Sequence, residues 1–339
     1  MNNSIFLEPV GEREILRLIV RLDNGKSPGA DNITVRMLKE CAQLIVPHVV
    51  DILNLIIFTG VYPDCMKQAQ VIPLFKEGDK ADPSNYRPIS ILPILNKVLE
   101  LAIYRRLVAF LNRTNFFYVR QYGFRERSGT HTAIYEILDR IFLDIDDGLA
   151  VSALFLDLQK AFDCVDHEIL VLKLEKAGIR GVPLELIRSY LAGREQCVLV
   201  GKEKSRFRDI AIGVPQGSVL GPLLFLVYVN DIHRLPLTGL PALFADDTGV
   251  FYSSDTLALN IDRMNGDLEK LDEYLAVNKL SINAKKTKTL HFKPYDLSLA
   301  NSVSLKGVSI EMAREYKYLG LVVDYGLAFD AHNATCVEN

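Results

Sequence analysis

The chain has 339 residues, of which 49% are apolar and 24% are charged, and its formal net charge at pH 7 is −3. These proportions are those of a globular protein and exclude an intrinsically disordered chain, and the length is sufficient for two packed units. The small negative charge excludes a uniformly basic nucleic-acid binder, although a binding groove needs only local positive charge.

Local positive charge is concentrated between Arg105 and His131, where six arginines stand against a single acid, Glu126. A charge run of this kind is usually a solvated surface, so it becomes a binding feature only if its members converge in the folded chain. The stretch is a candidate contact for a polyanion on that condition.

The cysteines and the N-terminal residues indicate the cellular compartment of the protein. The five cysteines are scattered, with no CxxC pair and no neighbouring histidine at zinc spacing. This usage is typical of reduced thiols in an intracellular protein. The N-terminus carries neither a basic segment nor an apolar one, so no signal peptide is expected. The sequence predicts an intracellular protein and leaves nucleus or cytoplasm open.

The predicted elements alternate between helices and strands. Apolar spacing and turn residues place them, in chain order, as helices over Val10–Leu22 and Val35–Phe58, a strand over Gln70–Lys76, helices over Ile94–Leu111 and Thr130–Leu143, a strand over Val151–Leu156, helices over His167–Ala177 and Pro183–Ala192, a hairpin of Gln196–Val200 and Ser205–Ile212, a helix over Leu257–Leu275, and strands over Lys288–Phe292, Val303–Leu305 and Tyr316–Val323. Strands interrupted by helices around a central hairpin indicate an α+β fold.

The uncharged stretch Ile210–Asn230 is long enough to span a bilayer. Two prolines and three glycines interrupt its first half, and its apolar second half is short. Buried core is the better interpretation, so we expect no membrane partner.

The most informative stretch is an adjacent carboxylate pair, Asp246 and Asp247, between the apolar runs Ala242–Ala245 and Val250–Tyr252. Neighbours on a regular strand point to opposite faces, but a hairpin whose tight turn is made by the Asp pair would let them share a ligand. Two like charges about 4 Å apart repel by roughly 4 kcal/mol at an effective dielectric near 20. A cation with a preference for oxygen ligands, Mg²⁺ or Mn²⁺, would relieve this repulsion. The alternative is an ordinary surface turn.

A third carboxylate, Asp157, ends the apolar run Val151–Leu156, which is typical of a strand buried on both faces. If this strand neighbours the Asp-pair hairpin, three carboxylates converge on one edge of a sheet. Three carboxylates can hold two divalent ions about 3.5–4 Å apart, which suits phosphoryl transfer. The alternative for Asp157 is a helix cap that follows a strand.

Several segments resemble, in order and spacing, the reverse transcriptases of non-LTR (LINE-type) retrotransposons. Phe155–Asp163 (FLDLQKAFD) resembles motif A of that family, Gly213–Pro222 (GVPQGSVLGP) motif B, and Phe244–Thr248 (FADDT) motif C. The supporting segments are Lys26–Asp31, Val71–Leu92 and Gln121–Arg125, which resemble finger segments, Asn278–Thr287, which resembles motif D, and Tyr318–Gly320, which resembles the primer grip. The resemblance runs from about Lys26 to Asp330.

The resemblance implies the fingers and palm of a right-hand polymerase with a central antiparallel sheet. The expected divisions are a helical extension over 1–60, fingers over 61–145, a palm over 146–300 with a helical insertion near 165–195, a primer-grip hairpin over 301–330 and a disordered tail over 331–339. The chain ends soon after the primer grip, so the thumb is expected to be missing. An endonuclease activity would have to come from elsewhere.

The resemblance also assigns roles to individual residues. Asp157, Asp246 and Asp247 would be catalytic ligands of two Mg²⁺ or Mn²⁺ ions. Phe162 falls where the family places a ring beneath the sugar, which would exclude a 2′-hydroxyl; the alternative is a core phenylalanine.

Further matched positions concern the incoming nucleotide. Gln216 and Gly217 would pack against it, since glycine permits close approach. Lys76 and Arg87 would hold its triphosphate. The alternative for both is a solvated surface charge. Lys286, or alternatively Lys288, would protonate the pyrophosphate.

The implied function is an RNA-directed DNA polymerase that uses an RNA template, a DNA primer and dNTPs. One alternative is a truncated or domesticated remnant that binds nucleic acid with little or no catalysis. Another is a two-metal phosphohydrolase, which would explain the aspartates but not Phe162 or Gln216.

Overall fold

The computed structural model describes residues 4–292 and 302–337. Within these residues the chain divides into two compact units, and each is built from two separate segments. The first unit comprises Met1–Phe117 and Phe162–Tyr228, and the second comprises Tyr118–Ala161 and Val229–Asn339. The units therefore interleave along the chain, whereas the sequence analysis divides it into contiguous domains. Residues 293–300 of the predicted palm and residue 301 of the predicted hairpin lie outside the described residues.

The helices of the described residues follow the predicted order closely. They are α1 (Glu12–Arg21), α2 (Val35–Glu40), α3 (Ala42–Thr59), α4 (Ile94–Arg113), α5 (Thr130–Asp146), α6 (His167–Lys176), α7 (Val182–Leu191), α8 (Leu220–Val229), α9 (Leu257–Val277) and α10 (Asp330–Val337). The single helix predicted over Val35–Phe58 is two helices, because the chain turns at Cys41. Gly60 ends α3 in a left-handed conformation with φ of 71°, which glycine adopts without steric cost.

The strands of the described residues are more numerous than predicted. Several are only two residues long, Tyr86–Ile91 was not predicted as a strand, and the strand predicted over Tyr316–Val323 is two paired strands. They are β1 (Gln68–Phe75), β2 (Tyr86–Ile91), β3 (Ala150–Leu156), β4 (Arg194–Val200), β5 (Glu203–Lys204), β6 (Arg208–Ile210), β7 (Leu240–Phe244), β8 (Asp247–Ser254), β9 (Lys288–His291), β10 (Ser304–Leu305), β11 (Val308–Ser309), β12 (Glu311–Met312), β13 (Glu315–Tyr318) and β14 (Leu321–Asp324).

The first unit joins helices to a small mixed sheet. β1 pairs antiparallel with β2 and parallel with β4, and β4 also pairs with β5 and β6. α1 packs against α2, α3 and α4, while α7 packs against α3 and α6. α8, which lies within the uncharged stretch noted in the sequence, is buried except at Pro222, which is half-buried. The prediction of buried core for that stretch is confirmed for α8.

α3 is long and apolar enough to cross a membrane by length and composition alone, a property that core helices share. Its buried face, which includes Val46, Val49 and Leu53, packs against α1 and α7. Its opposite face exposes Leu44, Leu55 and other apolar side chains. Its buried face therefore serves as part of the first unit's core.

The second unit is built on a five-stranded sheet in the order β12–β9–β3–β8–β7. β3 pairs antiparallel with β8 and β9, and β7 pairs antiparallel with β8, but β12 pairs parallel with β9. The predicted central antiparallel sheet is therefore present with one parallel edge, so the sheets of both units are mixed. Their combination with helices is the mixed α and β architecture that the sequence indicated.

β3 is buried on both faces, as its apolar run predicted. Val151, Ala153 and Phe155 belong to a core cluster with α5 and the β13–β14 hairpin. α9 packs against β3 and β8, and its Asn260 Nδ2 donates to Ala150 O at 2.7 Å. The alternation of side chains along the strand accounts for burial on both sides. The strand is thus held firmly up to its end, where Asp157 follows.

The last residues differ from the sequence expectation. We predicted a disordered tail over 331–339, but α10 (Asp330–Val337) occupies most of it and packs against β14. Asp324 orders the preceding turn, because its carboxylate accepts from the N–H groups of Gly326, Ala328 and Phe329 at 2.7–3.1 Å. The described part of the tail is therefore helical, and residues 338 and 339 lie outside the described residues.

Candidate active site

The carboxylate pair lies at the β7–β8 hairpin of the second unit. Phe244 pairs with Asp247, so the two turn residues are Ala245 and Asp246, and Asp247 is the first residue of β8. The prediction that the Asp pair itself makes the turn is wrong, because the register is set by strand pairing rather than by turn preference. Ala245 has φ of +57°, a left-handed conformation that costs a non-glycine residue about 1 kcal/mol.

Asp157 and Asp247 are opposite each other by strand register. Leu156 of β3 pairs with Thr248 of β8, so the next step along this antiparallel pair places Asp157 across from Asp247. Residues that are directly opposite have Cβ atoms about 5 Å apart and project to the same face. The prediction that Asp157 ends a strand next to the Asp-pair hairpin is confirmed.

The backbone of Asp157 is fixed by the loop before β9. Its N–H donates to Thr287 Oγ1 at 3.3 Å, and its carbonyl accepts from Asn283 N–H at 2.8 Å. The Asp157 side chain is half-buried, whereas Asp246 and Asp247 are exposed. The backbone is therefore held in place while the carboxylates face solvent.

The three carboxylates do not form a closed metal cluster. Within the ranges that the structure describes, no group of three or more His, Cys, Asp and Glu side chains is arranged to hold a metal ion. The register pairs Asp157 with Asp247 and leaves Asp246 in the turn. The donors nevertheless suit a hard cation, because carboxylate oxygens are the ligands that Mg²⁺ and Mn²⁺ prefer. The two-ion site stays a prediction.

Tyr316 of β13 is a site residue that the sequence analysis did not single out. Its ring stacks on Phe155 with centroids 4.2 Å apart and an interplanar angle of 8°. Burial raises the pKa of Tyr316 to about 12, and the negative charges of Asp247 and Asp157 add to the rise. The second effect comes from the two opposed carboxylates, so the phenol lies within their electrostatic range. Its position two residues before the primer-grip segment was the available signal.

Lys286 lies on the loop that anchors Asp157. Its N–H donates to Asn283 O at 3.0 Å, and its side chain is exposed. The alternative, Lys288, forms an ion pair with Glu311. Of the two lysines left open by the sequence, Lys286 is therefore the one whose side chain is presented to solvent.

Lys76 and Arg87 lie on the β1–β2 hairpin of the first unit. Arg87 pairs with Leu74, and Lys76 N–H donates to Asn85 O at 2.9 Å. Since every second residue of a strand shares a face, Lys76 and Arg87 project from the same face of the hairpin. Both are exposed, so this face presents two adjacent cations.

Gln216 and Gly217 are held against β2 in the same unit. Gln216 O accepts from Ser90 N–H at 2.7 Å, and Gln216 Nε2 donates to Asp163 Oδ1 at 2.9 Å. Gly217 has φ of +114°, and a Cβ there would lie 2.7 Å from Ser90 O. Only glycine fits this approach. Asp163, which orients the Gln216 amide, was missed in the sequence although it closes the motif A segment.

Phe162 is half-buried and stacks on Phe225 of α8, with centroids 4.5 Å apart. Its carbonyl accepts from Val214 N–H at 2.9 Å. The ring therefore has a packing role on one side and an exposed part on the other, so the two interpretations from the sequence are compatible. Its contact with a sugar stays a prediction.

The predicted site residues are divided between the units. Asp157, Asp246, Asp247 and Lys286 belong to the second unit, and Lys76, Arg87, Phe162, Gln216 and Gly217 to the first. Within each unit, strand pairing and hydrogen bonds fix the backbone around these residues. That the two sets form one site stays a prediction.

Comparison with known proteins decides the family. The model of the family described as "Reverse transcriptase (RNA-dependent DNA polymerase)" matches residues 76–323. The chain belongs to the reverse transcriptase family. Its match includes the motif segments that carry Asp157, Gln216 and the Asp246–Asp247 pair.

The relatives of this reverse transcriptase come from mobile elements. It is 32% identical over 336 residues to the "RNA-directed DNA polymerase from mobile element jockey" of Drosophila funebris, covering 96% of this chain and 36% of the relative. It is 32% identical over 348 residues to the "Probable RNA-directed DNA polymerase from transposon BS" of Drosophila melanogaster, covering 97% and 37%. A third relative, from transposon X-element of Drosophila melanogaster, is 30% identical over 331 residues, covering 96% and 36%.

These similarities confirm the resemblance to reverse transcriptases of non-LTR retrotransposons. The chain spans just over a third of the length of each of these relatives. Activities, substrates and partners of a whole element protein are therefore matters for proposal.

A buried carboxylate of this reverse transcriptase, Glu100 on α4, was also missed in the sequence. It is fully buried and accepts hydrogen bonds from Asn96 Nδ2 and Tyr190 OH at 2.9 Å each, and from Val219 N–H. Burial raises the pKa of the Glu100 carboxyl, and these donors oppose the rise. Glu100 thus joins α4 to the residue that precedes α8. The signal was an acid inside an apolar helical stripe.

The arginines between Arg105 and His131, which the sequence offers as a polyanion contact, do not all face solvent. Arg106 donates to both carboxylate oxygens of Glu14 at 2.9 and 3.0 Å and to the carbonyl of Glu8. It therefore joins α4 to α1 rather than facing a ligand. Arg127, by contrast, is exposed.

Proposed function

We propose that the chain is an RNA-directed DNA polymerase that extends a DNA primer 3′-hydroxyl with dNTPs on an RNA template, as part of a non-LTR retrotransposon. The observation that carries the proposal is the register of β3 and β8, in a chain that belongs to the reverse transcriptase family. Extended by one residue, this register places Asp157 across from Asp247, which follows the turn residue Asp246. The five-stranded sheet of the second unit then corresponds to the palm, and the β1–β2 hairpin to the fingers.

The three aspartates would hold divalent cations, Mg²⁺ or Mn²⁺, with two ions expected. Bound ions would lower the pKa of the primer hydroxyl and stabilise charge on the leaving pyrophosphate. The backbone of Asp157, fixed by Asn283 and Thr287, keeps its carboxylate aligned with that of Asp247. This fixed alignment of the two carboxylates is what the protein would contribute to cation binding.

Residues of the first unit would bind the nucleotide. Lys76 and Arg87 present two cations on one face, which suits a triphosphate. Gly217 lets the backbone approach closely, and Gln216 is oriented by Asp163. The exposed part of the Phe162 ring would reject a 2′-hydroxyl.

Lys286 completes the proposed assignments. Its exposed ammonium lies on the loop that bonds to Asp157. It would donate a proton to the leaving pyrophosphate.

The test is primer extension on poly(rA)/oligo(dT) with Mg²⁺ and dTTP. We expect Asp157→Asn and Asp247→Asn each to lower the rate by roughly three or more orders of magnitude, and the double variant to lose little more, because residues that act as a unit are non-additive. The matched control is Asp255→Asn, an exposed aspartate in the loop after β8, which should retain activity.

Several outcomes would contradict the proposal. Independent, multiplicative losses or activity that persists in EDTA would reject the shared cation site. Tight binding of primer–template without extension would indicate a nucleic-acid-binding remnant, and hydrolysis without extension would indicate a phosphohydrolase.

A further inference from the structure

The segment around Gln121, which opens the finger-like stretch Gln121–Arg125, lies against the hairpin that carries Asp246. The segment precedes α5 and runs alongside β7, where Gln121 forms a parallel bridge with Leu243. Tyr122 N–H donates to Leu243 O at 2.8 Å, and Leu243 N–H donates to Arg120 O at 2.9 Å. These bonds add an isolated parallel β-bridge along the outer edge of β7. They bring Gln121 to the turn.

The Gln121 side chain bonds directly to the turn. It is 1% exposed, and its Oε1 accepts from Ala245 N–H at 3.2 Å and from Gly123 N–H at 3.0 Å. A Cβ at Gly123 would lie 2.6 Å from Ala245 N, so only glycine permits this approach. The segment and the turn therefore fit together closely.

The orientation of the Gln121 amide has a cost. Its Nε2 is buried and has no hydrogen-bond partner among the described residues. Rotating the amide would satisfy nothing, because Nε2–H groups would then face two N–H donors. The amide is therefore kept with its oxygen on Ala245 at the expense of its nitrogen. A buried polar group without a partner calls for an explanation, and the bond from Ala245 N–H to Oε1 supplies one.

Ala245 has a conformation that needs such support. It is the first residue of a two-residue turn and has φ of +57°, where glycine is the usual residue. The residue after it is Asp246, and β8 begins with Asp247. The bond from Gln121 to Ala245 N–H thus acts on the backbone immediately before the two acidic side chains.

We propose that Gln121 is a positioning residue that holds the β7–β8 turn, and with it Asp246 and Asp247, in register with Asp157. The inference rests on the proposed polymerase function for its kinetic consequence only. In this role Gln121 acts through Ala245 and needs no contact with substrate or ion.

The decisive variant is Gln121→Met, which keeps the length of the side chain and removes the acceptor. Two readouts are expected to change. The rate of primer extension at saturating dTTP should fall roughly 10- to 100-fold with little change in KM, as for a small displacement of reacting groups. The Ala245 amide, followed by hydrogen exchange, should exchange roughly tenfold faster or more, while amides of β3 and α9 keep their protection.

A second substitution distinguishes positioning from general stability. Ala245→Gly removes the backbone strain that Gln121 supports. In that background Gln121→Met should cost little, so the double variant should extend primers nearly as fast as Ala245→Gly alone. A merely structural brace would show no such recovery. If Gln121→Met does not fold, Gln121→Glu decides, because it keeps an acceptor oxygen at the position of Oε1 and should leave Ala245 protected.

The results that would overturn the proposal are specific. They are an unchanged rate and unchanged Ala245 exchange in Gln121→Met, a loss of protection spread over β3 and α9, absence of recovery in the double variant, or an unprotected Ala245 in Gln121→Glu. If the unsubstituted chain does not extend primers, the polymerase proposal fails. The exchange of Ala245 still decides the role of Gln121.

Discussion

At the scale of the residue, buried polar groups act on the backbone of distant segments. Glu100 accepts from Val219 N–H, and Gln121 accepts from Ala245 N–H. Each polar side chain holds the start of a turn or helix inside a predicted motif, since Val219 belongs to Gly213–Pro222 and Ala245 to Phe244–Thr248. Since a buried polar group without its partner costs about 1–3 kcal/mol, such residues tolerate few substitutions.

His291 of β9 gives this scale a pH-dependent test. It is 1% exposed, its Nδ1 shares a hydrogen bond of 2.8 Å with Ser152 Oγ, and burial lowers its pKa from 6.5 to about 4. In the unfolded chain the imidazole of His291 binds a proton below pH 6.5, its ordinary pKa. In the folded chain it binds one only near pH 4. Stability from this source is therefore present above pH 6.5 and is lost as the pH falls to about 4.

The expected loss is about 2 kcal/mol between pH 7 and pH 5, calculated from the pKa difference. Urea unfolding at the two pH values measures it. His291→Asn keeps a polar group near Ser152 without titrating, so it should remove this part of the pH dependence. The exposed His48, replaced by Asn, is the matched control and should leave the dependence unchanged. An equal dependence in His291→Asn and the unsubstituted chain would contradict the prediction.

At the scale of the element, strand pairing determines which acidic residues meet. β3 and β8 are antiparallel, so the end of one lies at the start of the other, and Asp157 is opposite Asp247. A shift of one residue would turn each side chain to the other face. The buried residues on both faces of β3 resist such a shift and thereby keep the carboxylates aligned.

The junction of α4 and α8 provides the test at this scale. Glu100→Ala would leave the donors of Val219, Asn96 and Tyr190 without an acceptor inside the first unit. We expect a loss of about 3 kcal/mol or more in the free energy of unfolding, measured in urea. The exposed Glu175 of α6, replaced by Ala, should change stability by less than about 0.5 kcal/mol. A loss of similar size in both variants would reject an anchoring role for Glu100.

At the scale of the whole molecule, positive and negative charges nearly balance, although arginines are concentrated in one stretch of the sequence, residues 105–127. A net charge of −3 gives little general attraction for nucleic acid, so binding must depend on individual basic contacts. The arginines of the 105–127 run differ in this respect, because Arg106 is bound to Glu14 and Arg127 is exposed.

Binding to a primer–template duplex should therefore weaken steeply with salt. The logarithm of the binding constant should fall linearly with the logarithm of the salt concentration, by about 0.9 for each phosphate contact. Arg127→Gln should reduce this slope by about one contact, measured by fluorescence anisotropy. Arg36→Gln changes another exposed arginine, outside the run, and should leave the slope unchanged. Equal slopes in all three proteins would exclude Arg127 as a phosphate contact.

The sequence by itself determined the order of the elements, the family and the residues of the acidic pair. Apolar periodicity follows from local geometry, so α9 and the buried strand β3 were visible in it. The motif segments also depend on short spacings, which the chain displays directly. These features need no knowledge of distant contacts.

Only the tertiary structure decided how those parts are supported. Gln121 and Ala245 are 124 residues apart, and Glu100 and Val219 are 119 apart, so no local pattern connects them. The same holds for the turn, where pairing of Phe244 with Asp247 placed Ala245 rather than Asp247 at its centre. Register depends on the summed packing of two strands, and a turn preference of a few tenths of a kcal/mol is too weak to override it.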